Sequence, residues 1–484
     1  MKYNVGLENV KNGLEAVLVY ENEKVENAVF NKMNELGLFS GKEGEVVIYR
    51  DLEDKEKVAL VGLGKKENIS IEKVRRIFYK LAKEMQAKKE EEIKVYIPKL
   101  NDLCTRRTYA AALEGMTHAE YVFDRYKSEK VNNKEITVNF FIDPEKQERV
   151  SAYIAKMANT MEGVFFTRDL VNMPSQDLYP ETLAKFAKEK LETVGVKVTV
   201  LEEEEIEKIG MKAFLSVARG SANRPRFIVM EYLNDSDSSE KLALVGKGVT
   251  YDTGGYSIKP SEGMKTMFCD MGGAGTVIGT MYALAKNNIK TNVYGVVAAC
   301  ENSISGNAYK PGDVIGSLAG KSIEVDNTDA EGRLTLADAV YYSSTVLKVD
   351  KIIDLATLTG ACLVALNEFY TGSVTNNQEL FNEVLEASKK AGEPIWQLPT
   401  SDEFRALNNS RVADIKNSGG RLGGTISAGL FIEAFVNKTP WVHLDIAGTA
   451  YLSKAYGYLP LGATGVHVKT LVEMLDKPCG CQLR

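Results

Sequence analysis

Residues 324–334 read Glu-Val-Asp-Asn-Thr-Asp-Ala-Glu-Gly-Arg-Leu, and the rest of the chain is interpreted outward from them. Asp329, Glu331 and Arg333 are spaced two apart, so an extended backbone would direct their side chains to the same side. After Gly332, apolar residues recur at helical spacing, which predicts a strand end that passes through an acidic turn into a helix. Carboxylates that converge at a strand's carboxyl end indicate a cation site. A solvated acidic turn that caps a helix is the alternative.

Predicted strands and helices alternate on both sides of this acidic stretch. After residue 180, strands are predicted at 196–200, 226–232, 242–245, 291–298, 322–325, 352–356 and 441–446. This alternation is typical of a mostly parallel, doubly wound sheet, in which chemistry gathers beyond the carboxyl ends of the strands. Residues 1–155 alternate in the same way but contain no catalytic constellation. We therefore predict an α/β fold with a smaller N-terminal α/β domain at 1–155 and a larger catalytic domain at 156–484, whose central, mostly parallel sheet is flanked by helices.

Length and composition exclude several classes of protein. A chain of 484 residues is too long for one ordinary core, and a net charge of −6 does not favour nucleic acid or an anionic membrane surface. The N-terminal Met-Lys-Tyr-Asn-Val-Gly-Leu-Glu has no apolar run, and no apolar stretch reaches membrane-spanning length. We therefore expect no signal peptide, no membrane partner and a cytoplasmic location.

The cysteines and histidines restrict the chemistry further. Six scattered cysteines fit reduced thiols better than a disulfide framework, and Cys479 and Cys481 are interpreted as loose thiols of the tail. The histidines are only three, at positions 118, 443 and 467, and no His-Glu-x-x-His helix is present. Any bound metal must therefore be held mainly by carboxylates and perhaps by lysine.

A second cluster of charged residues follows the predicted strand 242–245. Lys247, Asp252, Lys259 and Asp270 are embedded among glycines and apolar residues, which is not the pattern of a solvated face. Taken singly, Asp270 is explained as a helix cap and Lys259 as a surface lysine. Taken together with the acidic stretch, the two clusters favour a joint site.

Such a joint site suits two divalent cations, which need bridging carboxylates and terminal oxygen ligands. The carboxylates available are Asp252, Asp270, Asp329 and Glu331. A lysine whose pKa is lowered by neighbouring metals can itself be a ligand. A lysine that stays protonated can stabilise a developing oxyanion.

The same residues carry a family resemblance. Residues 327–334, Asn-Thr-Asp-Ala-Glu-Gly-Arg-Leu, are close to the signature of the leucyl aminopeptidase family, the cytosol aminopeptidases. Other segments that resemble this family are 245–248, 251–255, 257–260, 270–274, 168–172, 218–221, 311–314, 354–361, 412–417 and 443–450. The resemblance extends over residues 160–475 and, more loosely, over the first domain.

The resemblance implies a dinuclear zinc metallopeptidase, a hydrolase that releases N-terminal residues such as leucine by attack of a metal-bridging water. It implies two divalent ions per subunit, with zinc usual and manganese, cobalt or magnesium possible at the exchangeable site. The tighter ion would be held by Lys247, Asp252, Asp270 and Glu331. The looser ion would be held by Asp252, Asp329 and Glu331.

The resemblance also implies roles around the metals. Lys259 would stabilise the tetrahedral gem-diolate, and Arg333 would position a bicarbonate that acts as general base. An arginine at a helix N-terminus is independently a good anion site. Residues that would contact the peptide substrate are Met267, Thr357, Leu358 and Gly360. The family further implies a homohexamer with active sites facing an interior cavity.

Two other functions compete with the aminopeptidase hypothesis. One is a DNA-binding or regulatory hexamer, against which the net charge of −6 and the lack of a basic cluster in residues 1–155 both argue. The other is phosphoester hydrolysis at a similar dinuclear site. That chemistry would favour histidine ligands and several phosphate-clamping arginines, which the sequence does not supply.

Overall fold

The structure, a computed structural model, describes residues 1–6, 13–51, 57–131 and 134–476. These residues divide into two compact units. The N-terminal unit lies within Met1–Met161 and also includes Ala455–Pro460; the C-terminal unit comprises Glu162–Lys454 and the described residues from Leu461 on. The domain boundary predicted at residue 155 falls inside a long helix, Pro144–Asn172, through which the chain passes from one unit to the other.

The N-terminal unit is built on a six-stranded sheet in the described part of the chain. Its strands are β1 (Lys2–Val5), β2 (Leu14–Tyr20), β3 (Val46–Arg50), β4 (Lys57–Gly64), β5 (Glu92–Tyr96) and β6 (Thr137–Phe141). Its helices are α1 (Ala28–Glu35), α2 (Ile71–Lys88), α3 (Thr105–His118) and the start of α4 (Pro144–Asn172). The strand order is β1-β6-β5-β2-β4-β3, and every neighbouring pair is parallel except β3 with β4. Nearly every residue of β4 is buried, as expected of a parallel strand with both faces covered.

A late segment of the sequence, Ala455–Pro460, completes the N-terminal unit. The Tyr458 ring stacks on His118 with ring centroids 4.6 Å apart, and its hydroxyl donates to Glu72 Oε2 at 3.2 Å. The guanidinium of Arg76 lies 5.7 Å from the centre of the Tyr456 ring. Helices α2 and α3 therefore bind a segment that follows them by several hundred residues.

The C-terminal unit contains the remaining elements. Its strands are β7 (Lys197–Leu201), β8 (Arg226–Leu233), β9 (Leu242–Asp252), β10 (Asn292–Asn302), β11 (Val314–Ile315), β12 (Ile323–Glu324), β13 (Lys351–Ala356), β14 (Thr371–Thr375), β15 (Ile395–Gln397), β16 (Ile415–Lys416), β17 (Trp441–Asp445), β18 (Tyr451–Leu452) and β19 (Gly462–Ala463). Its helices are α5 (Pro180–Glu192), α6 (Glu203–Ile209), α7 (Lys212–Ala218), α8 (Ser261–Met264), α9 (Gly272–Lys286), α10 (Gly332–Thr345), α11 (Gly360–Leu366), α12 (Gln378–Ala391), α13 (Asp402–Ala406), α14 (Gly424–Glu433) and α15 (Val468–Leu475).

The main sheet of this unit has the order β15-β14-β17-β13-β9-β10-β8-β7. Its centre, β17-β13-β9-β10, is parallel, whereas β14 pairs antiparallel with β17, and β8 pairs antiparallel with β10 and β7. Helices cover both faces: a Cβ on Gly246 would meet Ala274 of α9, whereas the neighbouring Lys247 reaches Gly332 of α10. The predicted two-domain α/β fold with a mostly parallel central sheet is confirmed.

The acidic stretch itself differs from its prediction in two ways. Residues 322–325 do not join the main sheet, because only β12 is extended there, and it pairs with β11 and β16 in a small three-stranded sheet. The extended interpretation of residues 329–333 is also wrong, because Glu331 already has a helical backbone (φ −74°, ψ −36°). The side chain of Asn327 accepts the amide of Asp329 at 2.8 Å, and this local turn ends the extended backbone early.

Two expectations concern the chain as a whole. In the described ranges, no helix has both the length and the apolar character that crossing a membrane requires. Cys104, Cys269, Cys300 and Cys362 form no disulfide within the described residues, and Cys479 and Cys481 lie outside those residues.

Candidate metal centre

The two predicted clusters meet where the central strands of the main sheet end. Lys247 lies within β9, and Asp252 is its last residue. Asp270 follows the short 3-10 turn Met267–Cys269 and precedes α9. Glu331 immediately precedes the first residue of α10. The carboxyl ends of parallel strands thus face helix N-termini, which is where α/β sheets place their binding sites.

Lys247 links two of the carboxylates. Its buried Nζ lies 2.8 Å from Asp270 Oδ1 and 2.8 Å from Glu331 Oε1. It also donates to the carbonyl oxygen of Thr357 at 2.9 Å, and the Thr357 hydroxyl donates to Asp270 Oδ1 at 2.7 Å. One lysine therefore joins residues from β9, from the start of α9, from the start of α10 and from the loop after β13.

Lys259 links the other two carboxylates. Its Nζ lies 2.7 Å from Asp252 Oδ2 and 2.5 Å from Asp329 Oδ1. The chain turns between β9 and this lysine at Gly254, whose φ of +83° requires glycine; a Cβ there would lie 2.8 Å from Asp329 Oδ1. The turn therefore returns Lys259 to the end of the strand from which it departed.

The buried charges do not balance. Four carboxylates (Asp252, Asp270, Asp329 and Glu331) face the ammonium groups of Lys247 and Lys259. Burial, together with neighbouring carboxylates, raises the pKa of Asp252 and of Asp270 above the ordinary range. Burial alone would lower the pKa of Lys247, but Asp270 and Glu331 outweigh it and raise that pKa. Bound metal ions would lower the pKa of Lys247. Without them, the neighbours of its ammonium are carboxylates, which raise that pKa.

The donor set fits divalent cations. One oxygen each of Asp252, Asp329 and Glu331 can be chosen so that all three lie within 4.8 Å of one another. The second oxygen of Glu331, Oε2, is buried and has no hydrogen-bond partner in the described residues. A buried carboxylate oxygen without a donor is costly unless a cation satisfies it. Hard oxygen ligands of this kind are the ones that divalent cations accept.

Arg333 forms no ion pair with the four carboxylates among the described residues, although the charges of Glu331 and Asp329 act on its guanidinium. Its Nη1 donates to the carbonyl oxygen of Asn417 at 2.8 Å, and its Nε is buried without a hydrogen-bond partner among the described residues. Burial lowers the pKa of the guanidinium to about 10. A buried guanidinium in the first turn of a helix, with a donor to spare, is suited to binding an anion.

The predicted substrate residues are not all joined to the cluster. Thr357 is joined to the cluster by its hydrogen bonds with Lys247 and Asp270. The carbonyl oxygen of Met267 accepts the backbone amide of Asp270 at 3.4 Å, whereas no hydrogen bond connects Leu358 or Gly360 to the cluster's carboxylates or lysines within the described ranges. Met267 begins the 3-10 turn before Asp270, and Gly360 begins α11 with open space where a side chain would be. These placements leave the substrate roles of the three residues as predictions.

Sequence reasoning missed two buried side chains that hold the site in place. Asn302 donates through Nδ2 to Asp252 Oδ1 at 2.7 Å and to the Thr328 carbonyl at 3.0 Å. Asp445 accepts the amide of Leu358 at 3.2 Å and the hydroxyl of Thr359 at 2.6 Å. Both are the last residues of central strands, so the signal that identified Asp252 applied to them as well; β10, however, was predicted to end at residue 298 rather than at Asn302.

The three histidines are bonded elsewhere. His443 Nδ1 lies 2.6 Å from Asp354 Oδ1, His467 Nε2 lies 2.8 Å from the hydroxyl of Thr371, and His118 stacks on Tyr458 in the N-terminal unit. In these contacts no histidine is bonded to the four carboxylates or the two lysines of the cluster, and it stays a prediction that carboxylates and lysine hold a metal there.

Gly332 provides a test that changes no polar group of the site. A Cβ at this position would lie 2.5 Å from Lys247 Cε, whose ammonium is fixed by three partners. Gly332→Ala is expected to displace Lys247 and to lower kcat by more than about 10-fold. Peptidase kinetics and thermal unfolding would measure the effect. Gly263→Ala, where no atom lies within 4 Å, is the matched control; equal kcat values for the two variants would contradict the assigned place of Lys247.

Comparison with known proteins gives a consistent result. The model of the cytosol aminopeptidase family, catalytic domain, matches residues 165–472, and that of the family's N-terminal domain matches residues 12–130. A probable cytosol aminopeptidase of Treponema denticola is 53% identical over 480 residues, which cover 99% of this chain and 100% of the relative. One of Clostridium tetani is 47% identical over 477 residues, with coverage of 97% and 98%.

Solved structures also match this chain over nearly its whole length. The bottromycin maturation enzyme BotP matches with a TM-score of 0.86 and 31% identity, over 96% of this chain and 99% of that chain. BotP in complex with Mn matches with the same TM-score and identity, over 96% and 98%.

Proposed function

Because the chain belongs to the cytosol aminopeptidase family and is therefore an aminopeptidase, we propose that it releases N-terminal leucine and other apolar residues from peptides in a metal-dependent reaction. The observation that carries the metal dependence is the surplus of four carboxylates, three of them buried and Asp329 partly buried, over two lysines at the end of β9. The oxygen Oε2 of Glu331, buried without a hydrogen-bond partner among the described residues, supports the same proposal, because a bound cation would satisfy it.

Two divalent cations fit this donor set, with zinc proposed and manganese, cobalt or magnesium as exchangeable alternatives. The solved complex of BotP with Mn supports a divalent ion in a relative of the same fold. The proposed ligands of one ion are Lys247, Asp252, Asp270 and Glu331. Those of the other are Asp252, Asp329 and Glu331. When bound, such ions polarise a carbonyl and make water a stronger nucleophile.

Lys259 is the proposed electrostatic catalyst. Burial alone would lower the pKa of its ammonium, but Asp252 and the neighbouring carboxylates outweigh burial and raise it, so the group stays charged. It is held within 2.7 Å of Asp252 and is largely shielded from water. A fixed ammonium in a water-poor site stabilises negative charge that develops on the carbonyl oxygen of the scissile bond.

Arg333 is the proposed anion site. Its unpaired Nε is oriented by the bond of Nη1 to Asn417, and the start of α10 adds a favourable dipole. Bicarbonate is the anion we propose, and it would supply a general base beside the reacting water.

The substrate backbone is proposed to bind along the loop that follows β13. Thr357, Leu358 and Gly360 lie in this loop, and Asp445 fixes its middle through two hydrogen bonds. Met267, in the turn before Asp270, is proposed to contact the N-terminal side chain of the peptide. The free amine at the N-terminus of the peptide would bind one of the two ions, which would explain a preference for chain ends over internal bonds.

The experiment that tests the function is hydrolysis of leucine p-nitroanilide by protein loaded with Zn or Mn. We expect turnover that a chelator abolishes, and no turnover of the N-acetylated substrate, because acetylation removes the free amine. Metal-loaded protein that cleaves neither this substrate nor any of a panel of dipeptides would refute the proposal.

Our proposals for the location, assembly and partners of the enzyme also rest on its family. We propose a cytoplasmic homohexamer that acts on peptides and binds neither membranes nor nucleic acid, and a native mass measurement would test the assembly.

A further inference from the structure

Asn417 is a fully buried side chain whose bonds converge on the acidic turn, residues 326–331. Its Oδ1 accepts the backbone amides of Asp326 at 2.9 Å and of Asn327 at 3.2 Å. Its Nδ2 donates to the carbonyl oxygens of Asn327 at 2.7 Å and of Ala330 at 3.3 Å. Both lone pairs and both hydrogens of the carboxamide are therefore used on one short loop.

The backbone of Asn417 binds the two ends of the same loop. Its amide donates to the carbonyl oxygen of Glu324, in the strand that enters the acidic turn, at 3.0 Å. Its carbonyl oxygen accepts Nη1 of Arg333, in the helix that leaves the turn, at 2.8 Å. One residue thus fixes the entry, the middle and the exit of the acidic turn.

The bonds to Asn327 and Ala330 lie on either side of Asp329. On its other side, the turn is held at Thr328, whose hydroxyl donates to the Gly254 carbonyl at 2.7 Å and accepts the Ser257 amide at 2.8 Å. None of these four hydrogen bonds goes to the Asp329 or the Glu331 carboxylate, so Asn417 leaves their oxygens available to a cation. Its effect on them is to fix the backbone from which they extend.

We propose that Asn417 is a positioning residue of the metal centre and of the anion site together. Its carboxamide keeps the oxygens of Asp329 and Glu331 within reach of those of Asp252, and its carbonyl oxygen aims the guanidinium of Arg333. The inference rests on the proposed function, because it takes these carboxylates as cation ligands. Only a carboxamide offers two donors and two acceptors in this arrangement, so aspartate, although of the same size, loses both donors.

The test compares Asn417→Asp with Asp414→Ala in the full-length protein. Asp414 Oδ2 accepts the amide and the hydroxyl of Ser322, both at 2.8 Å, so it joins the same two segments at a point farther from the carboxylates. Calorimetric titration of metal-free protein with Mn²⁺ and thermal unfolding of the same samples are the measurements, and neither depends on activity.

We expect Asn417→Asp to weaken Mn²⁺ binding by about 10- to 100-fold, the usual effect of removing a group that orients metal ligands. Asp414→Ala should bind Mn²⁺ as the wild type does, even if its unfolding temperature falls by as much as that of Asn417→Asp. An Asn417→Ser variant keeps the backbone bonds and replaces the carboxamide with a hydroxyl, which can donate one hydrogen bond, and we expect intermediate affinity. It replaces Asn417→Asp as the decisive variant if Asn417→Asp does not fold.

Two results would overturn the inference alone: wild-type affinity in the decisive Asn417 variant, or an equal loss of affinity in Asp414→Ala. If the wild type itself binds no Mn²⁺, the metal centre of the proposed function fails and the inference fails with it. The two cases can be distinguished. If the wild type binds Mn²⁺ and cleaves peptides while the Asn417 variant keeps its affinity, only the inference fails and the proposed function stands.

Discussion

Lys259→Ala is expected to lower kcat by about 100- to 1,000-fold, the usual cost of removing one group that stabilises an oxyanion. The variant should still bind cations, because the ammonium it removes lies 2.7 Å from Asp252 and 2.5 Å from Asp329 and competes with a cation for the same oxygens. Kinetics with leucine p-nitroanilide, together with metal analysis of the same samples, would measure both effects.

Lys265→Ala is the matched control for this variant, since Lys265 is an exposed lysine of the same loop. It should retain the kcat of the wild type. If Lys259→Ala turned over substrate at the wild-type rate, the electrostatic role of Lys259 would be wrong. If it lost its metals together with its activity, Lys259 would be a structural part of the centre instead.

Glu331→Gln is expected to have the largest effect on metal content. Glu331 is the only carboxylate that both contacts Lys247, at 2.8 Å, and belongs to the close oxygen group with Asp252 and Asp329, within the described residues. The amide removes a full negative charge and one acceptor oxygen from a buried position. Affinity for both cations should therefore fall by more than about 100-fold, beyond the range seen for residues that only orient ligands.

Glu324→Gln is the control for charge in the same stretch. Glu324 Oε2 accepts the hydroxyl of Ser410 at 2.5 Å and lies before the acidic turn, so its amide variant should keep both cations. Two cations per chain in Glu331→Gln, measured by plasma emission after dialysis, would show that Glu331 does not bridge them.

The part of the site near β9 could be predicted because its residues are close in sequence and follow one strand. Lys247, Asp252 and Asp270 all belong to β9 or to the segment that leads from it into α9. A run of apolar residues that ends in a carboxylate and glycines indicates a strand end, and strand ends in parallel sheets converge. The structure brings these side chains together, although their roles as ligands stay predictions.

The acidic turn could not be placed from local sequence. Its strand β12 has two residues and pairs with β16, about ninety residues later, so its apolar pattern did not distinguish a small separate sheet from the main one. In the sequence, Asn417 stands out only as part of segment 412–417, which resembles the family, because its bonds to Asn327 and Ala330 span 90 and 87 positions. Hydrogen bonds of that range leave no periodic trace in a single sequence.

The segment Ala455–Pro460 has a consequence for dividing the chain. A gene fragment ending at residue 161 would lack Tyr456 and Tyr458, and it would expose to water the surface of His118, Glu72 and Arg76 on which those rings rest. Module swapping between relatives therefore needs three breakpoints rather than one, after residues 161, 454 and 460, so that Ala455–Pro460 is transplanted together with residues 1–161. Limited proteolysis within Ala455–Pro460 should therefore destabilise the N-terminal unit first.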